Sequence, residues 1–175
     1  MMKRFISHYL LWYFVSVFSC YSFSQPIPHT IESAFSSLKD SPQKVDSLNK
    51  LCRSLDDHEK SIAFGIRVKE LAEKINYKKG AAQALNNIGN GYYYQENGKE
   101  ALYYHSQALL IREELGDKKD IAASYSNLGN AYDVLGDKKS AVAHHTKALL
   151  IREAIKDSSG IAKSNSNISS AYLDL

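Results

Sequence analysis

The chain has 175 residues, of which 23% are charged, and its formal net charge is +3. This length allows one domain with a buried core, and the small charge excludes the strongly basic surface of a typical nucleic-acid-binding protein. The two cysteines, Cys20 and Cys52, exclude a disulfide framework.

The first 24 residues predict a cleaved signal peptide. Two basic residues, Lys3 and Arg4, precede the apolar stretch FISHYLLWYFVSVF, which is too short to cross a bilayer comfortably. Small residues follow, with serines at positions −3 and −1 of a cleavage site before Gln25. We therefore expect export to the periplasm or cell envelope. Removal of this segment leaves 20 basic and 19 acidic residues, so the mature charge says little about partners.

Two other interpretations of this segment stay open. It could remain as an uncleaved N-terminal anchor, although polar residues interrupt the apolar stretch. Alternatively, Cys20 could become a lipidated N-terminus, which would make the protein an envelope lipoprotein. Beyond the segment only Cys52 remains, and its place on an apolar helical face predicts a small core residue rather than a nucleophile.

An internal repeat begins after a lead-in at residues 25–42. Residues 79–118 and 119–158 share 16 identities in 40 positions, including the hexapeptide ALLIRE at both 108–113 and 148–153. Weaker matches extend the same interval in both directions. We predict repeat units at 43–78, 79–118 and 119–158, followed by a partial unit at 159–175.

Each unit is predicted to contain two helices. In IAASYSNLGNAYDVL, residues 121–135, apolar or small residues recur at three- and four-residue spacing, and a Gly-Asp pair ends the run. A second amphipathic run extends from Lys138 to Ile155. Because alternating strand patterns are absent from the sequence, the predicted fold class is all-α.

The repeated small and aromatic residues predict how the helices pack. Gly89 and Gly129 are expected where the two helices of a unit cross, while Tyr92, Tyr132 and Tyr172 are expected to fill the space between units. Within ALLIRE, the alanine and isoleucine are expected in the core, and the arginine and glutamate are expected to point outward.

The sequence contains no pattern that predicts catalysis or metal binding. His105 and His145 occupy the same repeat position, and adjacent His144 and His145 point about 100° apart on a helix. We expect core or boundary histidines, no metal, no cofactor and no enzymatic activity.

The segment YSNLGNAYDVLGDKKSAVAHHTKAL, residues 125–149, resembles a tetratricopeptide repeat. Its 40-residue interval is similar to that of Leu-Gly-Asn-rich scaffolds, kinesin light chains and the N-terminal segments of exported bacterial signalling proteins. The resemblance implies a right-handed superhelical solenoid of helix-turn-helix repeats. The matching family positions are Tyr125, Leu128, Gly129, Tyr132, Gly136, Ala141, His145 and Ala148.

The resemblance also implies a peptide-binding groove on the concave face, lined by the first helix of each unit. Asparagines recur there at the 40-residue interval, and asparagine is a mediocre helix former. Their side chains are expected to bond a bound peptide's backbone, with two tyrosines providing apolar contacts. The predicted peptide-binding residues are Asn87, Asn90, Asn127, Asn130, Asn167, Tyr93 and Tyr94.

One known ligand class of the family is not predicted. Asn90 and Asn127 match part of the two-carboxylate clamp for C-terminal peptides, and Lys50 and Lys163 are basic at further clamp positions. However, Asn167 stands where the family has an arginine, and the register differs. We therefore do not predict binding of chaperone tails.

The favoured function is a scaffold for protein–protein interaction in envelope signalling, with a protein or peptide partner and no nucleic acid. An alternative is a truncated sensory input region of a membrane histidine kinase or transcription regulator. A weaker alternative is the envelope lipoprotein. Membrane attachment is expected only through an anchor or a missing C-terminal region.

Overall fold

The computed structural model describes Ser33, Ser36 and residues 39–173. The predicted signal peptide, the Cys20 lipidation site and most of the lead-in lie outside the described residues. Within residues 39–173 the secondary structure is helical, which confirms the all-α prediction. The helices are α1 (Pro42–Arg53), α2 (His58–Lys74), α3 (Lys78–Tyr94), α4 (Gly98–Leu115), α5 (Lys118–Val134), α6 (Lys138–Ala154) and α7 (Ser158–Leu173).

The backbone repeats every 20 residues, twice as often as the sequence. From α2 onward, each helix begins 20 residues after the previous one. A residue with positive φ ends each step, and the glycines among them, Gly116 and Gly136, have φ values of 75° and 77°. The other three, Asn76, Glu96 and Lys156, adopt φ near 55° without glycine. Both helices of a unit are therefore built on one helix-turn length.

Short polar residues begin several helices. Ser41 accepts a hydrogen bond from the backbone of Lys44 at the start of α1, where Pro42 occupies the first turn. Asp57, Asp117 and Asp137 cap α2, α5 and α6 in the same way. These caps satisfy backbone N–H groups that have no partner within the helix.

The helices of a unit cross at a glycine, as predicted, and a histidine from the second helix fills the space. A Cβ atom added to Gly89 would lie 2.7 Å from the ring of His105, and one added to Gly129 would lie 2.5 Å from the ring of His145. Both imidazoles are buried, with exposed fractions of 2% and 0%. They are core residues, as expected.

The tyrosines do not fill the space between units, so that prediction was wrong. Tyr92 stacks on Tyr104 of its own unit, with 5.4 Å between ring centroids. Tyr132 likewise packs on His144 at 4.8 Å, and Tyr172 is 60% exposed. These rings cover the ends of the helix pairs because the small residues at the unit boundary already allow close packing.

The arginine of ALLIRE points inward, so the prediction that it faces solvent was also wrong. Arg112 and Arg152 are 4% and 8% exposed. Arg112 donates to Ser124 Oγ at 2.8 Å, and Arg152 donates to Ser164 Oγ at 2.6 Å. Each bond joins the second helix of one unit to the first helix of the next, and we call the pair the arginine clamps.

The first boundary lacks such a clamp. At the equivalent repeat positions, Ala72 and Ala84 are both completely buried. Nearby, Cys52 is buried, and its thiol contacts the carbonyl of Ser61 at 3.3 Å, in agreement with a core role. Burial raises the pKa of the Cys52 thiol. An apolar boundary is thus compatible with the same fold.

The buried histidine predicts an acid-sensitive stability. Burial, and secondarily the charge of Arg112, lowers the pKa of His105 from 6.5 to about 4. Because the folded state favours the neutral ring, its contribution is complete above pH 6.5 and is lost as the pH falls towards 4. We expect this residue to reduce the free energy of unfolding by about 2 kcal/mol at pH 5 relative to pH 7.5.

Urea unfolding of the wild type and of His105→Phe at both pH values measures this contribution. The phenylalanine variant should lose less stability on acidification, and NMR titration of the native His105 ring should show a depressed pKa. Equal losses in the two proteins would contradict the assignment.

The arginine clamp predicts strong coupling between its two residues. Arg112→Met leaves the Ser124 hydroxyl buried without its donor, and we expect it to destabilise the fold by about 1–3 kcal/mol. Adding Ser124→Ala should recover part of the loss, because the boundary then resembles the Ala72–Ala84 boundary. A double-mutant cycle by urea unfolding measures the coupling energy. Strictly additive effects would show that the clamp does not couple the units.

Candidate functional site

The first helix of each unit lies on the inner side of the stack. α1 contacts α3, and α3 contacts α5, whereas the described second helices make at most weak contacts with one another. Helices that approach each other across units lie on the shorter, concave side of a solenoid. The predicted asparagines are carried by α3, α5 and α7.

The asparagines at the 40-residue interval join the units internally. Asn87 is 2% exposed, and its side-chain N–H group donates to the carbonyl and side-chain oxygens of Asn49 on α1, at 3.1 and 3.0 Å. Asn127 donates to Asn86 Oδ1 on α3 at 2.7 Å. Asn167 lies 3.5 Å from Nδ1 of His145 on α6. Each contact crosses a unit boundary.

The asparagines three residues later have a different environment. Asn90 and Asn130 are half-buried, and neither side chain makes a hydrogen bond to any described residue. Asn90 lines a cavity, whereas Asn87 contributes to the same wall from a nearly inaccessible position. The seven predicted residues therefore separate into structural amides and amides that are free to bind a ligand.

An aromatic cavity of about 220 Å³ lies between α1, α2 and α3. Tyr94, which is 62% exposed, stacks on His58 with 4.9 Å between ring centroids. Tyr93 contacts the edge of Tyr94 at 5.3 Å. The cavity thus presents a flat ring beside a free amide. Its lining residues are Cys52, Arg53, Leu55, His58, Ser61, Asn87, Asn90, Gly91 and Tyr94.

A basic cavity of about 240 Å³ lies beside it, between α1, α3, α4 and α5, and Arg53 lines both cavities. Arg53, Lys79 and Arg112 were not among the predicted site residues. The repetition of Arg112 within ALLIRE was the available signal, since a buried position conserved between units repeats as strictly as a core residue. The lining residues are Asp46, Asn49, Lys50, Arg53, Lys79, Ala82, Gln83, Arg112, Leu115 and Asp120.

Within residues 39–173 the histidine, cysteine and acidic side chains form no cluster suited to a metal ion. The helices of that region are also too short or too polar for a membrane span.

The two kinds of asparagine predict opposite effects of the same substitution. Asn87→Leu removes two hydrogen bonds and leaves the buried Asn49 without its donor, so we expect a loss of about 1–3 kcal/mol in the free energy of unfolding. Asn90→Leu breaks no described hydrogen bond and should change stability by less than about 0.5 kcal/mol. Urea unfolding of both variants measures the difference. Equal destabilisation would contradict the separation.

Comparison with known proteins identifies the repeat. Residues 80–154 match the family model of the tetratricopeptide repeat. Three solved structures share the fold. The apo form of RapI has a TM-score of 0.70 and 22% identity, over 80% of this chain and 52% of that chain.

The second is a kinesin light chain-like protein of Podosopora anserina with nearly identical TPR-like repeats, with a TM-score of 0.64 and 15% identity, over 85% of this chain and 75% of that chain. The third is a signal transduction ATPase with a tetratricopeptide repeat sensor from Pyrococcus horikoshii. Its TM-score is 0.65 at 18% identity, over 74% of this chain and 20% of that chain.

The chain thus spans about half the length of RapI. No curated protein gives a significant match to the sequence. Tetratricopeptide repeats generally form non-enzymatic scaffolds for protein–protein interaction. Residues 80–154 belong to the tetratricopeptide-repeat family, and the described helices form a solenoid of that type.

Proposed function

We propose that the protein binds a peptide or an extended segment of a partner protein in the concave groove. The observation that carries the proposal is the pair of free amides, Asn90 and Asn130, which repeat on the inner side of successive units. An amide presents both a donor and an acceptor, which suits the N–H and C=O groups of an extended backbone. Their 40-residue interval suits a ligand that runs across units.

The free amides alone are too few for useful affinity. Each net hydrogen bond contributes about 0.5–1.5 kcal/mol, whereas micromolar binding needs about 8 kcal/mol. Side-chain contacts in the two cavities must provide most of the remainder. Tyr94 is the strongest candidate anchor because an exposed ring beside a cavity can bury a large area on binding.

The proposed setting is envelope signalling, and it depends on export directed by residues 1–24. The alternative of a sensory input region is favoured by one comparison, since the Pyrococcus horikoshii protein carries its repeats as a sensor within a much longer signal transduction ATPase. The open reading frame beyond Leu175 distinguishes a sensory input region from a separate scaffold. The lipoprotein alternative requires attachment through Cys20.

A matched pair of tyrosines tests the groove. Tyr94 and Tyr103 are 62% and 61% exposed, but only Tyr94 lines a described cavity, and Tyr103 lies on α4. Peptides selected from a random display library should bind Tyr94→Ala about tenfold more weakly than the wild type, while Tyr103→Ala should bind within about twofold. Fluorescence anisotropy measures both affinities.

Asn90→Ala should weaken the same peptides about threefold to tenfold through loss of backbone hydrogen bonds. Urea unfolding of all three variants controls for loss of structure. Failure to select any peptide, or equal weakening by Tyr94→Ala and Tyr103→Ala, would refute binding in the groove.

A further inference from the structure

The basic cavity has an excess of positive charge that no described residue neutralises. Lys50, Arg53 and Lys79 are exposed on its wall, and none of them forms an ion pair with any residue that the structure describes. They come from two helices, α1 and α3, and converge on one concave space. This local excess contrasts with the nearly balanced charge of the predicted mature chain.

The innermost cation of the cavity also lacks an acidic partner. The guanidinium of Arg112 donates to Ser124 Oγ at 2.8 Å, and its remaining acceptors lie at 3.4 Å. All of them are neutral oxygens, from Asn86 and Gln83 side chains and the carbonyl of Asp120. A buried cation is stabilised most by a hydrogen-bonded carboxylate, and none is supplied here from within the described residues.

The two carboxylates of the wall reduce this excess without removing it. Asp46 already accepts hydrogen bonds from the Tyr77 hydroxyl at 3.0 and 3.2 Å. Asp120 begins α5, and its charge opposes the lowering of the Arg112 pKa that burial causes. Four cations therefore face two carboxylates around this cavity.

We propose that the groove selects an acidic protein segment, whose aspartate or glutamate side chains bind Lys50, Arg53 and Lys79 and reach towards Arg112. This inference rests on the proposed function, because it names the chemistry of the segment held in the same groove. It differs from a clamp for C-terminal carboxylates, since side-chain carboxylates suffice and Arg112 comes from a second helix.

A protein segment fits these observations better than a nucleic acid. The cations are confined to one cavity of about 240 Å³, whereas a polyanion of regular phosphates needs a basic stripe along the surface. Asp46 and Asp120 would repel a continuous run of phosphates. Separated carboxylates can instead avoid them, and the adjacent free amide of Asn90 can bond the backbone.

Labelled peptides of alternating glutamate and glycine test the proposal, with glutamine–glycine and lysine–glycine peptides of equal length as comparisons. Fluorescence anisotropy at low salt should show the glutamate peptide binding at least about tenfold more tightly than the glutamine peptide, and raised salt should reduce the difference. The combined variant Lys50→Gln, Arg53→Gln, Lys79→Gln should weaken glutamate binding about tenfold or more.

The matched control is Lys99→Gln, Lys139→Gln, Lys156→Gln, which removes the same charge from three exposed lysines outside both cavities. It should retain glutamate binding within about twofold. Asp120→Asn should tighten binding severalfold, since it removes a like charge from the wall. Urea unfolding of each variant verifies that the exposed substitutions preserve the fold.

Equal binding of the glutamate and glutamine peptides, or equal weakening by the two triple variants, would overturn the acidic specificity. Tighter binding of a single-stranded oligonucleotide that depends on the same three cations would also overturn it. The display library separates this failure from failure of the groove itself. Selected peptides that depend on Tyr94 but show no acidic enrichment would leave the groove intact and refute only the acidic partner.

Discussion

The polar bonds that cross from one unit to the next constrain the whole structure. A helix pair cannot bury its apolar stripe alone, so apolar packing drives stacking but does not fix the register of one unit on the next. Directional bonds do fix it. Asn87 reaches Asn49 at the first boundary, and Arg112 reaches Ser124 at the second. Since each donor is buried, a slipped register would leave it unsatisfied, at a cost of roughly 1–3 kcal/mol.

The boundaries also show that different chemistry can serve the same geometry. The first boundary combines an apolar Ala72–Ala84 contact with an asparagine network, whereas the second uses a buried guanidinium. Both are compatible with the 20-residue helix-turn step, which sets the positions that face each other. The clamp brings a cation to the edge of the basic cavity, because Arg112 must pass between α4 and α5 to reach its serine. Its structural role and its exposure to a ligand follow from one position.

The 40-residue interval was enough to predict the helical repeats and the glycine crossings, because core positions repeat with the fold. It could not separate the two kinds of asparagine. Asn87 and Asn90 both recur after 40 residues, and helical periodicity places them on neighbouring faces. Only the position of Asn49 decides that Asn87 is occupied. Similarly, the last-turn position of Arg112 is typical of a solvated charge, and its burial depends on Ser124, which lies 12 residues later on another helix.

This separation affects how binding in the groove would be achieved. Because Asn87 is held by Asn49, it fixes the backbone of α3 one turn from Asn90 and Tyr94 without competing for the ligand. Less conformational entropy is then lost when Asn90 binds, and the free energy of its hydrogen bonds contributes more fully to affinity. The tyrosine ring is ordered in the same way by its contact with His58. A groove built on joined units therefore presents its free groups in fixed positions, and a ligand with matching spacing would bind without rearranging the stack.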